Sequence, residues 1–229
     1  KISSKIPIIL FRVDGHAAWV NSLALKKARL TGSGIIIDKD LDKIERLIPP
    51  LTPSEMGEAY NRVVERALSL GITSLHDAGI SKRDYSILKK WVKNTLPSIR
   101  LYEMASSSEP SDLEEVLKLG PEKNLFQDRL HRRAIKIYLD GALGSRGALL
   151  ESPYSDDPTN SGLQLMSAQE LENLIKKADR SGFQVAVHAI GDKANRVAVE
   201  AFKKVFGSKI KIKRPRLEHA QVLSPSLIS

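Results

Sequence analysis

The sequence contains no cysteine, which excludes disulfides and thiolate metal ligands alike. Any metal must therefore be held by His, Asp, Glu or a modified Lys. Aromatic residues amount to 5%, leaving little with which to stack nucleic-acid bases. No apolar run approaches the roughly 20 residues that span a bilayer. The opening Lys1-Ile2-Ser3-Ser4-Lys5 lacks the apolar core of a signal peptide, so a cytoplasmic location is expected. An initiating methionine is also missing, and the helix announced by Ser224-Pro225 reaches only Ser229. These ends predict an internal piece of a longer protein.

What is present is an ordinary globular mixture: 41% hydrophobic and 28% charged over 229 residues. That length suits one large α/β domain or two small ones. The net charge of +9 would suit an acidic partner, but the basic residues are scattered. The one dense run is Lys209-Ile210-Lys211-Ile212-Lys213-Arg214, which reads as a solvated face, and nucleic acid is not the expected partner.

From Thr52 onward the pattern is regular. Thr52-Pro53-Ser54-Glu55 has the form of a capping box with proline at the first helical position. Apolar residues then recur at helical spacing from Met56 to Leu68. Strands are expected at Ile72–His76, Ile99–Met104, Ile135–Asp140, Phe183–His188 and Leu217–Ala220, separated by helices. Strand and helix in alternation predict an α/β fold with a parallel sheet. His76, Glu103, Asp140, His188 and His219 fall at or near the carboxyl ends of their strands, the edge where such sheets build sites. Residues 1–51 do not fit the repeat and read as an inserted segment: a strand over Pro7–Val13, a helix over Gly15–Arg29, then a charged connector. Residues 52–229 form the repeating part. The segment from Gly141 to Gly162 is a long loop, rich in Gly, Ser, Asp and Pro.

Two features carry chemistry. His188 and His219 end successive expected strands, and neighbouring strands about 4.8 Å apart let two imidazoles converge on one cation. Lys136 sits within an apolar strand, facing the same way as Tyr138 and Asp140. An unpaired buried ammonium is costly. Lys136 therefore reaches solvent, pairs with Asp140, acts as a Schiff-base nucleophile, or carries carbon dioxide as a carbamate able to bridge two cations. His76-Asp77 reads either as a metal-proximal pair or as a histidine bonded to its own loop. Asp192, at a helix start, suits the dipole there.

Val13-Asp14-Gly15-His16-Ala17-Ala18-Trp19-Val20-Asn21-Ser22, Gly71-Ile72-Thr73-Ser74-Leu75-His76-Asp77-Ala78-Gly79, LDGALGSRGALL from Leu139, VHAIGDKANR from Val187 and LEHAQVLSP from Leu217 together resemble the metal-dependent amidohydrolase superfamily, in its family 3, YtcJ-like branch. The resemblance runs from about Pro7 to Pro225. It implies a TIM-like (β/α)8 barrel, of which this chain would supply about strands two to six, with an excursion before the second strand. It also implies a divalent metal, usually zinc, as one or two ions. By that match Lys136 is a carbamylated lysine ligand, His188 and His219 are metal ligands, and Asp14, His16 and Arg146 contact substrate. His76, Asp140 and Asp192 would stand behind the ligands. The implied reaction is hydrolysis of a non-peptide C–N bond in a small amide-type substrate by metal-activated water.

The family's His-x-His pair on the first strand and its aspartate on the eighth do not occur here. They are expected in the flanking parts of the parent gene, and the piece alone is expected to be inactive. The rival reading is a non-catalytic half-barrel or basic binding module. In either case open sheet edges would favour pairing with a second copy.

Overall fold

The computed structural model describes residues 3–13, 17–37 and 40–228. The chain divides into two compact units, Lys1–Thr52 and Pro53–Ser229.

In the first unit, β1 (Ile9–Phe11), β2 (Ala17–Val20) and β3 (Ile35–Ile37) form an antiparallel sheet in that order. Helices α1 (Ser22–Ala28) and α2 (Leu41–Glu45) accompany it. This corrects the expectation of a helix from Gly15. Alternation decides the matter: Ala18 and Val20 are buried while Trp19 between them is exposed, the period-two pattern of a half-buried strand. The helix begins later because the Asn21 side chain caps it, accepting the Ala24 N–H at 3.0 Å. The supposed connector holds Ile35-Ile36-Ile37, whose β-branched side chains favour the extended chain.

The second unit opens with α3 (Pro53–Ser69), β4 (Ser74–Ile80), α4 (Lys82–Thr95), β5 (Arg100–Ser106) and α5 (Pro110–Leu119). A short β6 (Glu122–Asn124) and a tight turn-like α6 (Leu125–Asp128) lead into β7 (Leu130–Tyr138). Then come α7 (Ala168–Arg180), β8 (Gln184–Ala189), α8 (Asp192–Phe206), α9 (Ile210–Lys213), β9 (Arg216–His219) and α10 (Pro225–Ile228). Helix starts follow their signals. Ser81 and Ser167 cap α4 and α7 through their hydroxyls, and Glu170 completes a capping box. The α5 start is different: the helix begins at Pro110, and Glu109 before it makes no side-chain cap bond.

Five strands run parallel in the order β4-β5-β7-β8-β9, with β6 antiparallel to β7. The sheet is curled. β4 and β9 are separated by four strand spacings, about 19 Å if the sheet were flat. Yet Arg216 Nη1 of β9 lies 2.9 Å from His76 Nδ1 of β4. Only a sheet bent into part of a barrel brings these side chains together across its concave face.

Alternation along β7 separates the two faces. Ile135, Ile137 and Leu139 point outward into a core shared with Leu113, Leu171, Ile175 and Phe202 of the helices. The intervening Lys136 and Tyr138 are left on the concave side. A register shift after the Glu103–Arg132 pair lets Leu130 pack outward on Leu88 and Val92 of α4, although its parity is that of Lys136. No described helix is long and apolar enough to cross a membrane.

On the outer side Glu103 is 2% exposed and borders a cavity of about 320 Å³ with Tyr60 and Trp91. Burial first, and the neighbouring Asp77 carboxylate second, push Glu103 up to about 9. It keeps its proton at neutral pH and donates it to Asp77. The folded chain thus holds a proton that the unfolded chain releases, so this group's contribution to stability is complete below the ordinary value of 4.5 and is lost as pH rises to about 9. Chemical unfolding across that interval is expected to show stability falling with rising pH, and Glu103→Gln is expected to flatten the slope. An unchanged slope in the variant would place the proton elsewhere.

Candidate active site

The carboxyl ends of β7, β8 and β9 gather the chemistry. Lys136 is 2% exposed, and its Nζ lies 3.8 Å from the centroid of the Tyr138 ring. Burial lowers its pKa to about 8, opposed by the charge of Glu218. A neutral amine is thereby accessible near neutral pH. Of the alternatives left open by the sequence, pairing with Asp140 is corrected by the structure, because Asp140 is engaged elsewhere. Reaching solvent is corrected too, because the side chain is enclosed.

Asp140 lies just beyond β7 and is 1% exposed. Its carboxylate accepts the backbone N–H groups of Leu149 at 3.0 Å, Ile190 at 3.0 Å and Gly191 at 2.8 Å. Burial raises its pKa, and these three bonds act against that rise. Gly191 is required on steric grounds: a Cβ there would stand 1.9 Å from the Leu149 carbonyl oxygen. Asn195, fully buried, donates to the carbonyls of Ile190, Gly191 and Val222. The loops after β7, β8 and β9 are therefore joined by two buried polar side chains.

His188 and His219 stand at the ends of β8 and β9. Their ring centroids are 4.6 Å apart at 69°, and His188 Nε2 is 3.4 Å from an Asp140 oxygen. The pairing register sets Arg216 and Glu218 beside Ala186 and His188, so simple alternation would turn His219 away. Instead His219 and Ala220 have φ of +77° and +47°, and this left-handed turn rotates the imidazole back. Non-glycine residues in that region cost about 1–3 kcal/mol and concentrate at functional sites.

The remaining candidates are distributed differently. Arg146 forms a two-pronged bond with Asp156 at 3.1 and 2.8 Å, within the long loop. Asp192 accepts the N–H groups of Glu151 and Lys193, while Gly191 takes the N-cap position. His76 is stacked on Tyr102, centroids 4.6 Å apart, and bonded to Arg216. Of its two expected roles, a bond to its own loop is not among these contacts. Asp14 and His16 lie outside the described residues.

Sequence reasoning passed over Tyr138, Asn195, Arg216 and Glu218. Arg216 and Glu218 were legible by alternation with Leu217, which packs against the outer core. Tyr138 carries a further constraint: its hydroxyl donates to the Ala78 carbonyl of β4, and a Cβ at Gly79 would meet that hydroxyl at 2.4 Å.

The donor chemistry fits part of a divalent-metal site. Two imidazoles meet edge to face, Tyr138 lies between His188 and the buried Lys136 amine, and among the described residues no three His, Asp or Glu side chains form a cluster able to hold a metal alone.

A parallel sheet curled into part of a barrel, with histidines and a lysine at its carboxyl edge, defines a barrel-type α/β scaffold. The chain belongs to the amidohydrolase family, whose family 3 profile matches residues 1–229. It is 32% identical over 246 residues to the putative amidohydrolase YtcJ of Bacillus subtilis, covering 97% of this chain and 45% of that protein. It is 31% identical over 257 residues to the protein LONG AFTER FAR-RED 3 of Arabidopsis thaliana, covering 98% and 43%. Uncharacterized metal-dependent hydrolases of Pyrococcus horikoshii and Pyrococcus furiosus superpose with TM-scores of 0.79 and 0.78, each at 30% identity. The alignments cover 96% and 97% of this chain and 45% and 47% of theirs. The chain thus spans a little under half the length of these relatives.

Asp140→Asn takes the charged acceptor from all three buried N–H groups and turns an amide NH2 donor towards at least one of them. It is expected to destabilise the fold by about 1–3 kcal/mol, read as a lower urea midpoint with an unchanged denaturant slope. No loss of stability would show that the three bonds are not holding the loops.

Proposed function

We propose that the chain is part of a metal-dependent hydrolase that cleaves a non-peptide C–N bond in a small amide-type substrate, with zinc as the expected metal. The observation that carries this reading is the convergence of His188 and His219 at the ends of adjacent strands, with Tyr138 between His188 and the buried Lys136 amine. The family membership and the two metal-dependent hydrolases of similar fold support it.

His188, His219 and Lys136 are the residues that would hold the metal. When bound, a divalent cation supplies a water of lowered pKa and polarises the carbonyl under attack. The protein's own share is positional. Asp140, through Ile190 and Gly191, fixes the turn that follows His188, and one of its oxygens lies 3.4 Å from Nε2 of that imidazole. The left-handed turn at His219 aims the second imidazole. Lys136, its pKa lowered to about 8 by burial, is a free amine in a minor fraction near neutral pH, and that fraction can attack carbon dioxide through its nitrogen lone pair. One C–N bond forms, one proton leaves to solvent, and the resulting carbamate is an anionic oxygen donor where an ammonium would repel a cation. Tyr138, held by the Ala78 carbonyl, covers the amine. The edge strands β4 and β9 leave backbone groups able to pair with a second copy or with further chain.

In the protein encoded by the intact gene, Lys136→Ala is expected to lose tight binding of at least one metal ion, measured as metal per chain by elemental analysis. His188→Ala and His219→Ala are expected to do the same. Full metal content in all three variants would make these side chains structural.

A further inference from the structure

The Tyr138 ring covers the Lys136 amine, and what holds the ring there lies two strands away. Tyr138 ends β7 on the concave side, beside Lys136 on that face and paired in register with His188. Its hydroxyl crosses β5 and donates to the Ala78 carbonyl of β4 at 3.4 Å. In a flat sheet β4 and β7 would be two strand spacings apart, about 10 Å. Ser106 of β5, in between, is hydrogen-bonded to the same hydroxyl through its side chain.

The β4 backbone is shaped to receive this hydroxyl. Pairing with β5 skips from Ala78–Met104 to Ile80–Ala105, which leaves Gly79 as the extra residue of a bulge. Gly79 has φ of +133°, a conformation open to glycine and rarely adopted by residues with a side chain. A Cβ on it would stand 2.4 Å from the Tyr138 hydroxyl and 3.9 Å from Cγ of Lys136. Every group of this seat belongs to β4, β5 or β7, so the seat does not depend on strands outside this chain.

The ring also separates the members of the candidate metal site. Lys136 Nζ is 3.8 Å from its centroid, and the His188 ring is 5.9 Å from it at 44°. An aromatic face is electron-rich, so it attracts an ammonium and repels an anion. The observed arrangement therefore suits the unmodified lysine. A carbamate in the same place would turn its oxygens against the ring face before they reached either imidazole. We propose that Tyr138 is a positioning residue that latches Lys136: the hydroxyl seated at Gly79 holds the ring over the amine, and the ring must leave this seat before Lys136 can carry carbon dioxide. This rests on the reading of Lys136 as a carbamylated ligand. Once the ring has moved, an N–C bond to carbon dioxide forms and one N–H proton passes to water.

The test is the rate at which cyanate modifies Lys136 in the metal-free protein encoded by the intact gene, read by peptide mass spectrometry. A pH above the amine's value of about 8 makes access, and not charge, limit that rate. Tyr138→Phe keeps the ring and removes only the hydroxyl. It is expected to speed modification of Lys136 by about three- to tenfold, the worth of one neutral hydrogen bond. Tyr138→Ala, which removes the ring as well, is expected to speed it further. Lys89, paired with Glu122 on another part of the fold, is expected to react at an unchanged rate in both variants. Unchanged modification of Lys136 in Tyr138→Phe would overturn the latch, whatever Tyr138→Ala does. So would a matching rise at Lys89, which would make the effect a general loosening of the fold. Metal content in Lys136→Ala tests the reading of the lysine as a ligand, and that result and this one can fail separately.

Discussion

One carboxylate holds the candidate site in shape. Asp140 is buried at the end of β7 and accepts three backbone N–H groups, one from its own loop and two from the turn after β8. Charge-assisted bonds of this kind are about twice as strong as neutral ones and lose little to solvent competition when buried. The same carboxylate touches the His188 imidazole. Asn195 extends the tie to the carbonyl of Val222 beyond β9. Three loops that would otherwise move independently are fixed to one another, and the ends of the strands bearing Lys136, His188 and His219 are fixed with them. Preorganisation of this sort is what a metal site needs from its surroundings.

The curl of the sheet gives the concave face two ends with different chemistry. Arg216 and His76 meet across it, a contact that a flat five-stranded sheet could not make. Towards the carboxyl edge the face presents a low-pKa lysine, an aromatic ring and two imidazoles. Towards the amino edge it presents guanidinium groups. Glu218 stands between, paired with Arg216 and favouring the charged form of Lys136.

Much of the fold was legible because helices alternate with the strands of the second unit, α4 and α7 behind serine caps, and the hydrophobic period changes between 3.6 and 2 from one to the next. What was not legible depends on contacts distant in sequence. Residues 17–20 were read as helix because a strand of four residues shows too little alternation to outweigh its neighbours; its partners, Ile35 to Ile37, lie beyond α1. Lys136 and the two histidines were visible as polar residues on apolar strands. The engagement of Asp140 was not, because its acceptor role depends on N–H groups some 50 positions further on. The rotation of His219 was hidden as well, since nothing in Leu-Glu-His-Ala announces a left-handed residue. The partner of His76 was hidden for a related reason: Arg216 is 140 residues away.

Membership of the amidohydrolase family sets the class, and the central claim is that Lys136, His188 and His219 supply one side of a divalent-metal site. The most direct measurement is anomalous X-ray diffraction from crystals of the protein encoded by the intact gene, grown with zinc and recorded on both sides of the zinc absorption edge. The account predicts an anomalous peak between the His188 and His219 rings, with density for a carbamate extending from the Lys136 amine. A peak elsewhere, with Lys136 an unmodified amine against Tyr138, would contradict it.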